Sequence, residues 1–316
     1  MRFILFALIV FLVGCTQNSS FYYPSRGSLE ITGDPRFPHE DFWLESESGN
    51  TLHAQMHLSD RENPKGVILH FHGNRGDLSV SLDKLKWLLE QGYDLVVFDY
   101  SGFGLSSGKP TPENTRHDAL AFLTYFANLE RRHPGYRKIV WGTSLGGAIL
   151  SDGFSVFGQQ NQFDLVIVDS SFHSYRKQAE HIVSGMLGGV ILKWVVPMVI
   201  SDDYSPIHNV QRIQASKFLF VHCVDDRIVP VELGWRLYEP VQVSKYFWKV
   251  DGCRHARPFG EAFVERREIL LAFLQSPQLV ERVGESAVAA EQKLSLQGVH
   301  LLSKGEKRLM VKDQME

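Results

Sequence analysis

From residue 65 to residue 275, short apolar runs alternate with longer segments of mixed apolar and polar residues. Apolar runs of about four to eight residues between turn residues are typical of strands buried on both faces, and the longer segments are long enough for helices. The alternation therefore predicts a mostly parallel, doubly wound α/β sheet. The predicted strands are 67–71, 93–100, 138–141, 163–169, 217–223 and 245–250, with helices near 79–91 and 112–132 and in a last segment that ends near 275.

Two segments depart from this alternation. Before the parallel strands, apolar and polar residues alternate in 39–44 and 51–57 around a turn at 48–50, which predicts an N-terminal antiparallel hairpin. Between the fourth and fifth parallel strands, residues 172–214 are rich in Met, Leu, Ile, Val and Trp without strand-like alternation. This second segment is predicted to form a small helical cap.

The last segment, residues 276–316, is polar, mixes Glu with Lys and has little aromatic content. Such a composition predicts a frayed helix or a disordered tail. We expect this tail to be dispensable for catalysis, so the predicted α/β domain comprises residues 27–275.

The N-terminus is typical of an exported protein. Arg2 supplies a positive charge, and residues 3–13 are continuously apolar. This run fits the hydrophobic region of a signal peptide and is shorter than the roughly 20 residues that span a bilayer.

The Leu-Val-Gly-Cys sequence at 12–15 resembles the lipobox of bacterial lipoproteins; the alternative is a plain signal peptide with a chance cysteine. The resemblance implies that residues 1–14 are a lipoprotein signal peptide, that Cys15 carries acyl chains, and that the polar residues 15–26 are a membrane tether. Because Thr16 rather than Asp follows the cysteine, the resemblance favours the bacterial outer membrane, on its periplasmic face, over the inner membrane.

The net charge of the chain bears on its partners, and its length bears on the number of domains. The chain has 316 residues, with 33 Lys and Arg against 36 Asp and Glu, and a formal net charge of −3. This balance does not suggest attraction to nucleic acid, so we predict no nucleic-acid partner. The length fits one large α/β domain, since such domains often run to about 250 residues.

The first chemical signal is a Gly-x-Ser-x-Gly pattern centred on Ser144, between an apolar run and a predicted helix. A serine at such a corner is held in a strained conformation with its hydroxyl exposed above the sheet, and the glycines Gly142 and Gly146 avoid clashes in the bend. The amide of Leu145 then lies at the helix start, where it can bind an oxyanion. The alternative is an ordinary strand–helix turn.

A serine nucleophile needs a base, and the base needs an orienting acid. Asp225 and Asp226 follow the strand at 217–223, and His255 follows the strand at 245–250 beyond a glycine. The order Ser, acid, His along the chain is the order found on α/β-hydrolase sheets. The alternatives are a solvent-exposed loop histidine and an aspartate that caps a helix.

A metal site is a further alternative, since His70 and His72 lie two residues apart and Asp99 lies on a neighbouring predicted strand. No ligand pattern such as His-Glu-x-x-His accompanies them. We therefore predict no metal and no cofactor.

Four stretches resemble the α/β-hydrolase superfamily, and in particular its membrane-associated branch called BEM46-like or ABHD-type. The resemblance covers about residues 42–273. The stretches are His-Phe-His-Gly-Asn at 70–74, Asp-Tyr-Ser-Gly-Phe-Gly-Leu-Ser-Ser-Gly at 99–108, Gly-Thr-Ser-Leu-Gly-Gly at 142–147 and Val-Pro at 229–230.

The resemblance assigns further roles. In that branch the acid lies four residues after a strand-end histidine and three before Val-Pro, which favours Asp226 over Asp225. The turn at 72–74 would supply a second oxyanion donor, the amide of Asn74. The branch usually has glycine where Cys223 stands, and a small residue followed by glycine at 253–254, where this chain has Cys-Arg.

The implied activity is a serine hydrolase that cleaves carboxylic ester or thioester substrates through an acyl-enzyme. Family members include esterases, lipases, thioesterases and peptidases, so a serine peptidase is an alternative, as is a lipoprotein that binds or scaffolds without catalysis. The apolar cap and the acyl anchor indicate a small-molecule or lipid acyl substrate; the alternative, and the more frequent case for an apolar insertion, is that it is simply packed core.

Cys223 and Cys253 are close in sequence to Asp226 and His255, respectively, and the triad requires those two loops to touch. In an oxidising compartment the two thiols are therefore candidates for a disulfide. Two buried free thiols are the alternative.

Overall fold

The computed structural model describes residues 20–25, 36–59, 62–186, 188–214, 216–276 and 299–302. In these residues nine strands form one sheet, and a short two-strand bridge is separate from it. The sheet contains β2 (His39–Glu45), β3 (Thr51–His57), β4 (Gly66–Phe71), β6 (Tyr93–Phe98), β7 (Arg137–Thr143), β8 (Leu165–Asp169), β9 (Phe218–Cys223), β10 (Lys245–Val250) and β11 (Val299–Leu302), and the bridge joins β1 (Tyr23–Pro24) to β5 (Arg75–Gly76).

The spatial order of the sheet is β11-β10-β9-β8-β7-β4-β6-β3-β2. The strands from β10 to β6 are parallel, whereas β3 is antiparallel to both β6 and β2. The predicted mostly parallel sheet with an N-terminal antiparallel hairpin is confirmed. Because parallel strands end at the same edge of a sheet, the loops after these strands meet where open α/β sheets bind ligands.

Helices cover both faces of the sheet and enclose two apolar clusters. Trp141 and Trp248 belong to the cluster on one face, and Phe98 and Phe122 belong to the cluster on the other. The helices are α1 (Ser79–Leu85), α2 (Trp87–Glu90), α3 (Pro112–Asn128), α4 (Leu145–Val156), α5 (Tyr175–Ser184), α6 (Gly189–Val199), α7 (Val231–Tyr238) and α8 (Val264–Gln275).

Helix α3 shows how local chemistry sets helix bounds. The side chain of Thr111 accepts a hydrogen bond from the amide of Asn114, and Pro112 occupies the first turn, where its missing N–H costs nothing. The helix ends at Asn128, before the predicted end near 132, because Leu129 has an extended backbone.

The predicted cap consists of helices α5 and α6 followed by two single-turn 3₁₀ helices, Pro206–His208 and Val210–Arg212. Ser174 caps the N-terminus of α5, since its side chain accepts a hydrogen bond from the amide of Lys177. The cap therefore follows β8 and precedes β9, as the composition of 172–214 indicated.

Residues 20–25 were predicted to be part of a polar tether, but two of them are buried against the domain. Phe21 and Tyr22 are buried, and the ring of Phe21 lies 5.2 Å from the ring of Tyr175 at the start of α5. Burial of two aromatic side chains outweighs the polar, Ser-rich composition that indicated a tether. The signal segment 1–14 and Cys15 lie outside the described residues.

The C-terminal region also differs from the prediction. Residues 299–302 form strand β11, which pairs antiparallel with β10, whereas the composition of 276–316 predicted a frayed helix or a disordered tail. An edge strand such as β10 presents unpaired backbone groups, which even a polar segment can satisfy. Among the described residues, no helix combines the length and apolar character required to cross a membrane.

Candidate active site

Ser144 stands at the corner between β7 and α4. Its backbone has φ 54° and ψ −122°, a conformation that non-glycine residues rarely adopt. A side chain at Gly146 would collide with the backbone carbonyl of Phe71, and one at Gly142 would come within 2.7 Å of the backbone of Gly146. The flanking glycines therefore permit the sharp turn that holds the serine hydroxyl above the end of the sheet.

The structure brings Ser144 together with the two partners that the sequence suggested. Nε2 of His255 lies 2.9 Å from Oγ of Ser144, and Nδ1 of His255 lies 2.6 Å from Oδ2 of Asp226. Ser144 is separated from His255 by 111 residues, and Asp226 from His255 by 29. With the proton on Nδ1, the imidazole donates to the carboxylate and presents Nε2 as an acceptor to the hydroxyl.

The loop after β9 distinguishes the two candidate acids. Asp226 is buried, and its Oδ1 accepts hydrogen bonds from the amides of Ile228 at 2.9 Å and Val229 at 3.0 Å. These two bonds fix the carboxylate and leave Oδ2 for His255. Asp225 is exposed to solvent. The acid that the family resemblance favoured is thus the one that faces the histidine.

His222, near the end of β9, supports residues 224–230, the loop that carries Asp226 and that we call the acid loop. Its Nε2–H donates to the carbonyl of Val229 at 2.8 Å, and burial lowers the pKa of its ring. The neutral imidazole is also 3.6 Å from Asp226. His222 therefore braces the acid loop as an uncharged donor.

A polar network that the sequence did not reveal holds the residue after the base. The ammonium of Lys84 lies 2.6 Å from the buried carboxylate of Asp169 and donates to the carbonyl of Ala256 at 2.9 Å. The hydroxyl of Ser170 donates to Asp169 at 2.9 Å and accepts from the amide of Ala256 at 3.1 Å. Both backbone groups of Ala256 are therefore bound, directly beside His255.

Backbone strain is concentrated in the same network. Ser170 and Ala256 have positive φ angles of 54° and 56°, which non-glycine residues adopt only when their surroundings hold them there. The aspartate at the carboxyl end of β8 was a visible signal for part of this network, because polar residues at that edge often serve the site. Nothing in the sequence around Lys84 indicated its contact with residue 256.

The groups proposed from sequence as oxyanion donors border the serine. Leu145 is the first residue of α4, and the first amides of a helix have no acceptor within it. Gly73 is so close to the serine that a Cβ built on it would lie 3.8 Å from Cβ of Ser144. The turn containing Asn74 is therefore next to the hydroxyl, and the Asn74 carbonyl is held by the amide of Tyr23 at 2.7 Å.

A disulfide joins Cys223 to Cys253, with the two Cα atoms 5.5 Å apart. Of the two alternatives that the sequence left open, the structure contains the cross-link rather than two thiols. It connects the loop of Asp226 to the loop of His255.

The histidines of the alternative metal site have other partners. The ring nitrogens of His70 lie 2.7 Å from the hydroxyl of Ser81 and 3.0 Å from the hydroxyl of Thr143, and burial lowers the pKa of His70 well below its usual value. Nδ1–H of His72 donates to the carbonyl of Gly73 at 2.8 Å. Within the described part of the chain, no three His, Cys, Asp or Glu side chains form a group that could hold a metal ion.

Asp99, the third residue of the alternative metal site, instead holds the surrounding backbone through its carboxylate. Its carboxylate accepts from the amide of Leu78 at 2.7 Å and lies 3.3 Å from Nδ1 of His53. It also occupies the space beside Gly104, where any Cβ would collide with it. The Asp-Tyr-Ser-Gly-Phe-Gly stretch is thus a structural loop after β6.

The cap lies directly beside the acid loop. The amide of Gln178 donates to the carbonyl of Ile228 at 2.7 Å, and Nε2–H of His181 donates to the carbonyl of Arg227 at 3.1 Å. Helix α5 therefore flanks the loop that carries Asp226. Near this loop the hydroxyl of Ser144, the imidazole of His255 and the carboxylate of Asp226, with the backbone amide at the start of α4, form a set of groups that can carry out acyl transfer.

Comparisons with known proteins agree with this architecture. A family model described as serine aminopeptidase, S33, matches residues 62–214. The uncharacterised protein YfhR of Salmonella typhi is 26% identical over 288 residues, covering 87% of this chain and 94% of that protein. The lysophosphatidylserine lipase ABHD12 of Danio rerio is 29% identical over 277 residues, covering 84% of this chain and 68% of that protein.

A solved structure shares the fold. The Pyrococcus furiosus esterase Pf2001 superposes with a TM-score of 0.63 at 19% sequence identity, and the match covers 81% of this chain and 97% of the esterase.

Proposed function

This chain is an α/β-hydrolase of the ABHD type, and we propose that it is a membrane-anchored serine hydrolase that cleaves carboxylic esters or thioesters of acyl groups. The observation that carries the proposal is the continuous chain of contacts from the Ser144 hydroxyl through the His255 imidazole to the Asp226 carboxylate, at 2.9 Å and 2.6 Å. Such a chain activates a hydroxyl that is otherwise a weak nucleophile.

In the first step, Oγ of Ser144 attacks the carbonyl carbon of the substrate while its proton moves to Nε2 of His255. The imidazolium that forms is stabilised by Asp226, which stays ionised and accepts the Nδ1–H bond. The carbonyl oxygen becomes an oxyanion that the amides of Leu145 and Asn74 bind. Preorganised amides of this kind are worth several kcal/mol, since removing one donor typically slows turnover about 10²–10³-fold.

In the second step, the C–O or C–S bond to the leaving group breaks, and His255 returns its proton to the departing alcohol or thiol. The acyl group remains on Ser144 as an ester. Water then attacks this acyl-enzyme with His255 as base, and the carboxylic acid leaves as the serine regains its proton. Side chains and backbone groups of the chain handle every proton and charge, so the proposal includes no cofactor.

Three observations support an acyl-ester or lipid substrate. The cap beside the acid loop is rich in large apolar residues, and the related protein ABHD12 is a lysophosphatidylserine lipase. The lipobox-like sequence before Cys15 supports an acylated N-terminus, and Thr16 supports the periplasmic face of the outer membrane in a bacterial envelope. An enzyme anchored there would meet its substrate at a membrane surface.

The test combines a fluorophosphonate probe with a series of p-nitrophenyl esters of rising acyl length. Ser144→Ala should abolish labelling and nearly all ester turnover, whereas Ser184→Ala, at an exposed position of α5, should retain both. The preferred chain length would define the acyl pocket. Equal labelling of Ser144→Ala and the wild type would refute the assignment of the nucleophile.

A serine peptidase is the second candidate, because the matching family model bears the description of a serine aminopeptidase. The same triad would attack an amide, with His255 protonating the departing amine. Aminoacyl p-nitroanilides in the same assay separate the two activities. Turnover that is faster on the anilides than on the esters would favour the peptidase, and a folded wild type that takes no probe at all would favour a non-catalytic scaffold.

A further inference from the structure

Helix α6 of the cap exposes its largest apolar side chains to solvent. Ile191 and Met198 are each 72% exposed, and Trp194 is 81% exposed. These residues are three and seven positions apart, so they project from one side of the helix. Ile182 and Met186, at the end of the preceding helix and in the turn after it, are also exposed. We call these five residues the cap face.

The cap face is not the side of α6 that packs on the domain. Val196 is buried and, two positions from Trp194, lies on the opposite side of the helix; Ile200, just past the helix end, is also buried. The helix is thus apolar on both sides, and among its described side chains Lys193 alone is charged and is exposed. Monomeric soluble proteins rarely leave a contiguous patch of this kind in water, because its burial is favourable.

The position of the N-terminal residues indicates what covers the cap face. Phe21 packs on Phe172 and Tyr175, and the hydroxyl of Tyr22 lies 3.1 Å from that of Tyr175, at the beginning of the cap. Cys15 is five residues before Ser20, and five extended residues span at most about 18 Å. If Cys15 carries the proposed acyl chains, the membrane must therefore lie within that reach of Ser20, whose neighbour Phe21 packs at the beginning of the cap.

Helix α5, which carries Ile182 of the cap face, also contacts the loop that carries Asp226. His181 and Gln178 of α5 bind the carbonyls of Arg227 and Ile228 in the acid loop, and the side chain of Ile228 is 57% exposed. Exposed apolar side chains therefore stand on two elements that contact each other, with Ile182 on α5 and Ile228 in the loop that carries Asp226. A surface that covered the cap face would be adjacent to the site.

We propose that the cap face docks onto a lipid bilayer, with Ile191, Trp194 and Met198 inserted at the boundary between head groups and acyl chains. Trp is well suited to this depth, and the stem of Lys193 can lie along the apolar layer while its ammonium reaches the head groups. The docked cap orients the candidate site toward the membrane, so that an amphiphilic substrate reaches Ser144 without crossing bulk water. The choice of a bilayer as the occupant rests on the proposed acylation of Cys15; the docking itself does not require ester chemistry.

The first experiment measures binding of the non-acylated chain from Thr16 onward, which contains all the residues described by the structure, to sedimented phosphatidylcholine vesicles. The triple variant Ile191→Ser, Trp194→Ser, Met198→Ser should bind at least about 30-fold more weakly, because each inserted side chain contributes at least about threefold in partition and the three factors multiply. The matched control, Trp43→Ser with Val264→Ser, alters two exposed apolar residues outside the cap and should bind like the wild type. Both variants should retain turnover of a short, soluble ester.

The second experiment locates the contact. Trp43 and Trp194 are the two exposed tryptophans in the described residues. Vesicles of brominated phosphatidylcholine should quench the wild type and Trp43→Phe, whereas Trp194→Phe should bind to the same vesicles with little quenching. Loss of quenching in Trp43→Phe instead would overturn the proposal.

The outcomes separate docking from hydrolysis. Vesicle binding that depends on the cap face supports docking even in a chain that cleaves no ester. Ester turnover without vesicle binding, or with binding that the triple variant retains, overturns docking and leaves the hydrolase intact. A concentration-dependent dimer that the triple variant abolishes, with no vesicle binding, would show that a second copy of the chain covers the face and would also overturn the proposal.

Discussion

The ammonium of Lys84 donates a hydrogen bond to the backbone carbonyl of Ala256 at 2.9 Å, and Ala256 directly follows His255. Because the same ammonium is paired with the fully buried carboxylate of Asp169, helix α1 is tied both to the end of β8 and to the loop of the candidate base. The position of the imidazole therefore depends on a lysine that touches no member of the triad.

Lys84→Met should lower kcat on a p-nitrophenyl ester by about 10–100-fold with little change in KM, because a misplacement of about 1 Å at a catalytic group can cost that much. It should also lower the free energy of unfolding by about 3 kcal/mol, since it leaves a buried carboxylate without its cation. Lys84→Arg should recover part of both losses. Lys86→Met, at an exposed position just past the end of the same helix, is the control. A loss of stability with an unchanged kcat would make the role of Lys84 purely structural.

The two adjacent aspartates offer a matched pair of variants. Asp226→Asn should reduce kcat by roughly 10⁴-fold, as removal of the orienting acid does in other Ser-His-Asp enzymes, because the amide favours the wrong tautomer of the histidine. Asp225→Asn should remain close to the wild type, since that side chain is exposed. Steady-state kinetics on one ester, with a thermal melt of each variant, gives the comparison. The reverse pattern would assign the acid to Asp225.

Stability should fall on acidification, in part because of His57 on β3. Burial, the main cause, lowers the pKa of His57 to about 4. Because the unfolded chain then binds a proton more tightly than the folded one, this contribution to stability is complete above pH 6.5 and is lost between pH 6.5 and about 4. Urea unfolding at pH 7 and pH 4.5 should show a loss that is about 2 kcal/mol smaller in His57→Gln.

His208→Gln is the control for this measurement, because His208 is exposed. It should lose as much stability on acidification as the wild type. If His57→Gln has the same pH dependence as the wild type, the neutral state of buried His57 is not part of the acid sensitivity.

Reduction of the Cys223–Cys253 disulfide should lower the free energy of unfolding by about 3 kcal/mol, because the bond closes a segment of sequence separation 30 in the unfolded chain. It should also lower kcat, since the bond links the loops of Asp226 and His255. The double variant Cys223→Ser, Cys253→Ser should show the same losses without reductant. Alkylation of the unreduced protein followed by mass measurement is the check, and two free thiols at these positions would contradict the cross-link.

Much of the sheet was predictable because its determinants are local. Buried parallel strands are continuous apolar runs, and these runs at 67–71, 163–169, 217–223 and 245–250 correspond to β4, β8, β9 and β10. The segments whose observed structure differed from the prediction were those whose conformation and burial depend on residues far away in the sequence. Phe21 and Tyr22 have burial sites only because the cap and α3 are adjacent in space, and residues 299–302 become a strand only beside the edge of β10.

Part of the candidate site could likewise be predicted from the sequence, and part could not. Ser144, Asp226 and His255 could be proposed from the chain because each follows a recognisable strand in a fixed order, and the glycines at 142 and 146 mark the serine corner. The network behind His255 could not, because Lys84 lies 85 residues from Asp169 and 172 residues from Ala256. Its contacts exist only after α1, β8 and the loop after β10 have packed.

The sequence alone determined the class of fold, the order of the reactive residue types and the apolar character of the cap, because these depend on residue periodicity and on short motifs. Only the tertiary structure decided which aspartate faces His255, that the two loop cysteines meet, and that the apolar residues of α6 are divided between a buried side and the exposed cap face. These outcomes depend on distances and burial between segments far apart in the chain, which packing sets and local sequence does not.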